Sequence, residues 1–323
     1  MFSLLGGFSS YNQVLVSHND ELSTSFRNPW GTFAYKKMPF SLINACATFH
    51  RAMDIALWGL KNKCVVVYLD DVTIYSRKRF DHVKHLRNMF ERCRKCNISL
   101  NPKKSVFGVT EGELLGFIIS KEGIIIDPEI TKSIAKIAPP PSKHYMQFFL
   151  GKINIVRRFI SNFLEIVTPL QEMIKKAQIY KWKRDHGYAF LRIKEAIAKA
   201  PTLQSPEFMK DFILYTFSSD TSFAAVLTQK MEDKQDTPIS FMSSILQGEK
   251  LKYPDVNKKA YAVYKVVKHF KPYLLRYHTK VIVPHPSVRS LLVQKEVRHK
   301  RINWITALQE YDLEIMPTKL VKG

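Results

Sequence analysis

The stretch VVVYLDDVTIYS, residues 65–76, places two adjacent carboxylates inside a run that otherwise has the pattern of a buried strand. β-Branched and aromatic residues flank Asp70 and Asp71 on both sides, which predicts a hairpin with the acids at its tip. Unpaired buried charge is strongly destabilising, so the pair needs a partner. A divalent cation with oxygen ligands, such as Mg²⁺, suits two convergent carboxylates. Taken alone, an acidic pair of this kind is also common in ordinary turns.

The charge balance of the chain is strongly basic. Its 323 residues hold 50 lysines and arginines against 28 aspartates and glutamates, a formal net charge of +22. A surplus of this size indicates a polyanionic partner, most often nucleic acid. A solvated basic surface with no partner is the alternative. Hydrophobic residues make up 46% of the chain, which predicts packed cores rather than disorder.

The cysteine content and the amino terminus bear on location. Four cysteines in a chain of this length do not make a disulfide scaffold and fit a reducing compartment. No apolar run reaches the ~18–20 residues of a membrane span. The opening MFSLLGGFSSYNQVLV has no basic segment of the kind a signal peptide carries. We therefore expect an intracellular protein, cytoplasmic or nuclear, without a membrane partner. The sequence indicates no oligomeric state.

Two segments in the first third of the chain have helical spacing. In NACATFHRAMDIALWGL the apolar positions are Ala47, Met53, Leu57 and Leu60. In FDHVKHLRNMFERCRKCN the pattern predicts one buried face, with basic residues opposite, made of Val83, Leu86, Phe90 and Cys93. After them, GELLGFIISKEGIIID predicts a hairpin that turns at residues 121–123.

The clearest boundary signal in the sequence is APPPS, residues 138–142, because three prolines end a helix and favour an extended linker. Residues up to about 205 are predicted to be mainly helical. Beyond them, DFILYTFSS and AAVLTQ predict strands, KKAYAVYKVVKHFKPYLL predicts a helix, and KVIVPHP predicts a further strand. This order suits an α/β layer with a mixed sheet.

YLDD within an apolar hairpin resembles the polymerase palm signature of reverse transcriptases. Further motifs agree with that family in order: NPWGTFAYKKMPFSLINACATFHRAM before the hairpin, then ISLNPKKSVFG, ELLGFIISKEGIIIDPE, FLGKINIVRRFISNF and FILYTFSSDTSFAAVLTQ. The whole chain resembles the reverse transcriptase–ribonuclease H part of Pol from gypsy-type LTR retrotransposons, in the form common in plants.

The resemblance implies an α/β (α+β) fold in three parts. A truncated polymerase palm occupies residues 1–126, a mainly helical thumb or connection 127–205, and a ribonuclease H-like mixed-sheet domain 206–323. The fingers segment that normally precedes the first motif is expected to be missing. The inherited function is RNA-directed DNA polymerisation with ribonuclease H activity. It implies Mg²⁺ or Mn²⁺ as cofactor and RNA or DNA as partner.

The resemblance also assigns roles to residues. Asp70 and Asp71 match the metal-binding pair. Four further residues match positions at the incoming nucleotide or the primer: Tyr11, Phe40, Leu115 and Gly116. Tyr11 corresponds to the residue beneath the incoming sugar, and Phe40 to the loop that lines the nucleotide pocket. Without the resemblance, both would be interpreted as ordinary core aromatics.

The chain departs from the family at its first motif. FSLLGGFSSYNQ has Gly6 where the third metal-binding aspartate belongs. The next acid is Asp20, which lies far outside coordination range if the intervening segment is extended at ~3.3 Å per residue. The bridging metal ligand is therefore expected to be absent.

The ribonuclease H-like part departs in the same way. Phe217 stands in TFSS at the first aspartate position, Lys259 replaces a glutamate, and Pro286 replaces another aspartate. Asp220 is close in sequence but is expected to face elsewhere. We therefore expect both chemistries to be impaired. Two alternatives stay open: a co-opted nucleic-acid-binding or interaction protein, and a polymerase that borrows missing parts from a partner chain.

A competing constellation has the spacing H-x₂-H-x₇-C-x₂-C, which superficially suggests zinc. Its members are His82, His85, Cys93 and Cys96. On one helix the first and last of them are ~21 Å apart along the axis. Zinc ligands lie within ~2.0–2.3 Å of a single ion, so this geometry argues against a zinc site.

Overall fold

The computed structural model describes residues 1–69, 71–175, 180–231, 235–293 and 302–318. The chain divides into two compact units. One contains Met1–Leu115 with Ile119–Lys121, and the other contains Gly116–Ile118 with Glu122–Gly323. The predicted limits of the three parts, at residues 126 and 205, stay predictions.

The first unit contains seven strands and two α-helices. They are β1 (Phe2–Gly7), β2 (Phe26–Asn28), β3 (Gly31–Phe33), α1 (Ala45–Ala56), β4 (Val65–Tyr68), β5 (Asp71–Tyr75), α2 (Arg79–Lys95), β6 (Leu100–Val109) and β7 (Gly112–Leu114). Its main sheet has the order β4-β5-β1-β6 and is antiparallel throughout. The strands β4 and β5 form the hairpin that the sequence predicts.

Alternation along these strands separates two faces of the sheet. Val65, Val67, Val72 and Ile74 point into the core together with Leu5. Position 6 and Asp71 belong to the other face, because successive side chains of a strand point to opposite sides. The acidic hairpin is thus built on a sheet whose opposite face is firmly packed.

The helical faces differ in part from the predicted ones. Ala47 is exposed in α1, whose buried residues are Ala45, Phe49, Met53 and Ala56. In α2 the prediction is wrong for Val83 and Phe90, which are exposed, while the helix buries His82, Met89 and Cys93. This helix carries two apolar stripes. Helical periodicity does not specify which stripe faces the sheet, and the predicted face does not include His82.

The second unit begins with short strands and four α-helices. They are β8 (Phe117–Ile119), β9 (Ile124–Ile126), α3 (Pro128–Ala135), α4 (Lys143–Asn154), α5 (Phe163–Met173) and α6 (Arg184–Ala198). The strands β8 and β9 flank the turn predicted at residues 121–123. The proline-rich residues 138–142 lie between α3 and α4, so the predicted break in the helical region is confirmed.

The rest of the second unit is a five-stranded sheet with helices. Its elements are β10 (Phe212–Ser218), β11 (Ser222–Lys230), β12 (Asp236–Ile245), α7 (Asp255–His269), α8 (Lys271–Leu274), β13 (Thr279–Val283), α9 (Pro286–Val293), α10 (Ile302–Leu308) and β14 (Leu313–Pro317). The strand order is β12-β11-β10-β13-β14. β13 is parallel to both β10 and β14, whereas β11 is antiparallel to its neighbours. The predicted mixed sheet is confirmed, and β12 and β14 were not predicted.

Two cores stabilise the second unit. One lies among the helices α4, α5 and α6 and includes Phe149, Phe159 and Phe190. The other lies between α7 and one face of the sheet and includes Phe212 and Val263. In the described ranges, none of the helices is both long and apolar enough for a membrane span.

Candidate active sites

The tip of the β4–β5 hairpin is a two-residue loop, because Tyr68 pairs directly with Asp71. Leu69, the first loop residue, has a φ of 53°, a left-handed conformation that is uncommon for a non-glycine residue. Its backbone N–H donates to His50 Nε2 at 3.3 Å. Asp70 lies outside the described residues, and Asp71 occupies the exposed start of β5. Strained backbone of this kind concentrates at functional sites.

Gly6 lies directly opposite Asp71 across the antiparallel β1–β5 pair. Directly opposed residues have Cβ atoms about 4.5–5.5 Å apart and point to the same face. A carboxylate at position 6 would therefore stand beside the Asp71 carboxylate. The register thus places Gly6 where a further acidic ligand could join the hairpin, although glycine itself supplies no side-chain oxygen.

The Lys104 side chain of β6 covers Gly6. A Cβ atom built on Gly6 would lie 2.9 Å from Lys104 Cβ and 3.4 Å from Lys104 Cδ. The place of a metal-binding carboxylate is thus taken by the stem of a cationic side chain. The described residues do not fit a two-metal site, and no group of three or more His, Cys, Asp or Glu side chains among them could hold a metal ion.

Asp20 does not stand in for the missing acid at position 6. The segment that leads to it is not extended, contrary to the sequence-based assumption, because residues Ser10–Gln13 and His18–Asp20 form short 3₁₀ helices. Asp20 lines a groove of about 760 Å³ together with Val14, Ser41 and Ile43. The groove is largely apolar and carries no second acid.

Two of the predicted nucleotide-site residues are in contact. The rings of Tyr11 and Phe40 meet edge to face, with centroids 5.2 Å apart. Tyr11 also packs on Phe49 at 5.4 Å, and its hydroxyl lies 3.1 Å from Cys46 Sγ. Phe40 is 58% exposed, so it is not the core aromatic that the alternative interpretation required. Their roles toward a nucleotide stay predictions.

Leu115 and Gly116 occupy consecutive left-handed positions, with φ values of 56° and 80°. A Cβ on Gly116 would approach Ile130 Cδ1 to 2.5 Å, so both its conformation and its surroundings require glycine. The exposed Leu115 side chain is available for contact with a ligand. The primer-binding role of these residues is also a prediction that the structure does not test.

The four residues of the zinc-like motif have other contacts. His82 Nε2 lies 2.7 Å from Ser3 Oγ and its Nδ1 lies 2.9 Å from Ser76 Oγ, so both ring nitrogens have hydroxyl partners. His85 Nδ1 lies 2.7 Å from the same Ser76 Oγ. Burial raises the pKa of Cys93 to about 11. Sequence reasoning missed this buried serine–histidine network, for which the only signal was a histidine on an apolar helical face.

Two of the three positions predicted to have lost an acid, Phe217 and Pro286, lie near the carboxyl ends of neighbouring strands of the five-stranded sheet. β10 and β13 are parallel, so their carboxyl ends meet at one edge of the sheet. Phe217 is the penultimate residue of β10 and is 56% exposed. Pro286 is the first residue of α9, soon after β13 ends. Lys259 lies in the first turns of α7, whose Lys258 reaches Asp220 just beyond β10. None of the three side chains offers a carboxylate oxygen.

The two lysines at this edge have their own partners. Lys259 forms an ion pair with Asp255 of the same helix at 2.5 Å. The buried Lys258 donates to the backbone oxygen of Asp220 at 3.0 Å and to its Oδ1 at 3.2 Å. The Asp220 carboxylate is therefore engaged by a cation from α7.

The arrangement of sheets and helices agrees with known folds. The chain superposes on the foamy viral protease–reverse transcriptase dRH in complex with double-stranded DNA, with a TM-score of 0.84 at 21% identity. That match covers 100% of this chain and 57% of the other. A foamy viral protease–reverse transcriptase in complex with an RNA/DNA hybrid gives a TM-score of 0.82 at 21% identity, and that match covers 99% of this chain and 44% of the other. The predicted fold class, that of a reverse transcriptase with a ribonuclease H-like region, is confirmed.

The sequence comparisons agree with the fold. Residues 2–119 match the model of the reverse transcriptase (RNA-dependent DNA polymerase) family, and residues 182–281 match the RNase H-like domain found in reverse transcriptase. Relatives include the transposon Tf2-3 and Tf2-7 polyproteins of Schizosaccharomyces pombe, 29% and 28% identical over 319 residues. Each match covers 98% of this chain and 24% of the relative, so the chain spans about a quarter of these polyproteins.

Proposed function

We propose that this chain is a reverse transcriptase–ribonuclease H region of a gypsy-type retrotransposon polyprotein, of the plant form, that retains nucleic-acid binding and has lost both chemistries. The observation that carries the proposal is Gly6. It lies opposite Asp71 in the sheet, offers no ligand and is covered by Lys104. Two-metal phosphoryl transfer needs both ions clamped on the attacking and leaving oxygens, and a site without its bridging acid does not position them.

The test of lost polymerisation is primer extension by the purified chain with Mg²⁺ or Mn²⁺. We expect no extension, because misplaced metal ions stabilise neither nucleophile nor leaving group. An Asp70→Asn variant controls for contaminating polymerase, since it removes half of the acidic pair. Extension by the unmodified chain that this variant abolishes would refute the proposal.

The ribonuclease H-like region is tested separately. Phe217, Lys259 and Pro286 replace metal-binding acids, so the chain should leave the RNA strand of an RNA–DNA hybrid intact. A labelled hybrid incubated with and without EDTA gives the readout. EDTA-sensitive cleavage that persists through further purification would contradict this part of the proposal.

Nucleic acid is the proposed partner. The net charge of +22 supports phosphate contacts, and the similar viral structures are complexes with double-stranded DNA and with an RNA/DNA hybrid. We expect sequence-independent binding whose affinity falls by ~0.7–0.9 log units per log unit of salt for each contacted phosphate. Fluorescence anisotropy between low and physiological salt measures this slope, and a flat response would count against the proposal.

A second candidate function is that of a co-opted nucleic-acid-binding or interaction protein. The observation that favours it is that the lysines beside the ribonuclease H-like positions have ion-pair partners of their own, Lys259 with Asp255 and Lys258 with Asp220. Detection of the protein in tissue, together with intact reading frames in related plants, would support co-option over decay. A polymerase completed by a partner chain instead predicts primer extension only when the two chains are mixed.

A further inference from the structure

The second unit contains a small polar cavity that the proposed function does not use. It has a volume of about 240 Å³ and lies among the turn after α4, the start of α5, the strand β12 and the end of α7. The polar residues that line it are Arg157, Ser243, Ser244 and His269, and its apolar wall includes Phe163. No acidic residue lines it. The lining is therefore suited to an anion and not to a cation.

The two basic side chains of the cavity act on each other. Burial lowers the pKa of His269, and the positive charge of Arg157 lowers it further. Among the residues that the structure describes, no carboxylate forms an ion pair with Arg157. An arginine and a histidine thus converge with no protein anion between them. A bound anion would replace their mutual repulsion by attraction.

The serine side of the cavity supplies further hydrogen-bond capacity. Ser243 Oγ accepts the backbone N–H of Leu164 at 3.0 Å, which fixes the position of the hydroxyl oxygen. A hydroxyl has one proton to donate in addition to its acceptor sites, so Ser243 can still donate to a ligand. Ser244, the next residue of β12, also lines the cavity, but its side chain points to the other face of the strand, so Ser243 supplies the hydroxyl.

The size and the donors of the cavity select one ligand chemistry. A water takes about 30 Å³ of the liquid, so the cavity has room for a group several times larger than water. A guanidinium offers paired N–H donors that match the oxygens of a phosphate, and hydroxyls add single donors. We propose that this cavity binds a phosphate group, either the terminal phosphate of a nucleic-acid strand or that of a small phosphorylated molecule.

The first experiment uses inorganic phosphate and the full chain. Isothermal titration calorimetry at constant ionic strength should show one saturable site. Arg157→Gln and His269→Leu should each weaken it at least about tenfold, because each removes a donor that can be charged. Lys268→Gln is the matched control. It removes a charge from the exposed neighbour of His269, outside the cavity, and should leave the affinity within twofold.

Two outcomes would overturn the site: the absence of saturable binding, or equal weakening by Lys268→Gln and Arg157→Gln, which would mean diffuse charge attraction. Thermal unfolding of each variant distinguishes loss of the site from loss of the fold. His269→Gln, which keeps a neutral donor, should bind phosphate more tightly than His269→Leu. Equal affinity of the two would also contradict a direct role for the ring.

The second experiment identifies the source of the phosphate. One oligonucleotide is compared with a 5′-phosphate and with a 5′-hydroxyl end at a salt concentration that suppresses backbone contacts. Tighter binding of the phosphorylated strand, lost in Arg157→Gln, supports the site and assigns it to strand ends. Equal binding of the two strands, with inorganic phosphate still saturable, supports the site and assigns it to small phosphorylated molecules. Because inorganic phosphate is tested alone, the site can stand even if nucleic-acid binding fails.

Discussion

The two places where the chain lacks expected carboxylates differ in what occupies them. In the first unit, Gly6 has no side chain, and the stem of Lys104 covers its backbone. In the second unit, Phe217 presents a large ring at the sheet edge and Lys259 forms an ion pair with Asp255. One site lacks a side chain, whereas the other has replacements with contacts of their own. A single substitution can therefore return the missing acid to the first site, whereas the second site would still lack two of its three acids.

The two units also differ in how they use histidine. His82 of the first unit is buried between Ser3 and Ser76. His278 of the second unit is partly exposed and forms ion pairs with Asp312 and Glu314 at the edge of the sheet. Burial lowers the pKa of His82 and so favours a neutral ring, whereas the Asp312 hydrogen bond raises the pKa of His278 and favours a charged one. The stability of the two units should therefore respond in opposite directions to acid.

The largest expected effect is on the stability of the first unit. His82→Leu keeps the bulk of the side chain but removes a partner from the hydroxyls of Ser3 and Ser76. We expect a loss of about 1–3 kcal/mol, the net contribution of two buried hydrogen bonds, since Ser3 still accepts the Gly108 N–H and Ser76 still contacts His85. Because the chain has two units, urea unfolding should be followed by hydrogen exchange of peptides from each.

The matched control is His278→Leu, which removes only exposed ion pairs and should cost under about 1 kcal/mol. Ser3→Ala combined with His82→Leu should cost more than His82→Leu alone, because Ser3 Oγ also accepts the Gly108 backbone N–H at 3.0 Å. If His278→Leu destabilises its unit as strongly as His82→Leu does, the contrast between the two histidines is wrong.

The next effect concerns metal binding at the two edges. Gly6→Asp places a carboxylate beside Asp71 and should tighten Mn²⁺ binding by about tenfold or more, because ligand charge count sets affinity in oxygen sites. Phe217→Asp alone should change it less than about twofold, since no second acid of that edge is restored. Calorimetric titration with Mn²⁺ measures both.

Substitution of Lys104 makes the Mn²⁺-binding test of Gly6→Asp more specific. Gly6→Asp requires the β6 backbone or the Lys104 stem to shift, given the 2.9 Å approach of the two Cβ positions. Adding Lys104→Ala removes the cation and most of the stem, and should tighten Mn²⁺ binding further. Lys103→Ala, with the same charge change on an exposed neighbour, is the control. Identical effects of the two lysine substitutions would show that only net charge matters.

The pH dependence should be smaller and of opposite sign in the two units. Burial, with the amino-terminal charge and His85 as lesser causes, lowers the pKa of His82. Its stabilising contribution is present above the unfolded pKa of about 6.5 and is lost as pH falls below that value. The Asp312 hydrogen bond raises the pKa of His278, whose contribution is present below about 6.5 and lost as pH rises through the folded pKa.

Hydrogen-exchange protection factors at pH 5.5 and 7.5 measure this difference by region. Peptides of the first unit should lose protection at the lower pH, while peptides around β13 and β14 should lose it at the higher pH. The His82→Leu and His278→Leu variants should each abolish the response of their own unit. A response that persists in His82→Leu would assign it to another group.

The smallest expected effect separates two adjacent lysines of α7. Lys259→Met breaks an exposed i, i+4 ion pair and should cost about 0.3–0.5 kcal/mol or less. Lys258→Met removes a mostly buried ammonium that joins α7 to Asp220, and should cost more, up to about 1–2 kcal/mol. Thermal unfolding ranks the two variants. If Lys259→Met were the more destabilising of the two, Lys259 and not Lys258 would make the larger contribution to the stability of this part of the unit.

Local sequence patterns were sufficient to predict much of the fold. The alternation of VVVY and DVTIY predicts the hairpin, because a period of two with β-branched residues fits a half-buried strand. The proline run predicts the break between α3 and α4, and the motif order predicts the fold class. Strand β12 was missed because its sequence, DTPISFMSSI, is rich in small polar residues, and its pairing with β11 decides its structure.

The candidate sites divide in the same way. The sequence by itself determined that carboxylates are absent at positions 6, 217, 259 and 286, because residue identity needs no structure. Only the tertiary structure decided what those positions contact: Asp71 opposite Gly6, Lys104 across it, and Lys258 on Asp220. It also decided that α2 buries His82 and leaves Val83 and Phe90 exposed. Strand register and the rotation of a helix about its axis depend on long-range packing. The local hydrophobic periodicity of the sequence does not specify either of them.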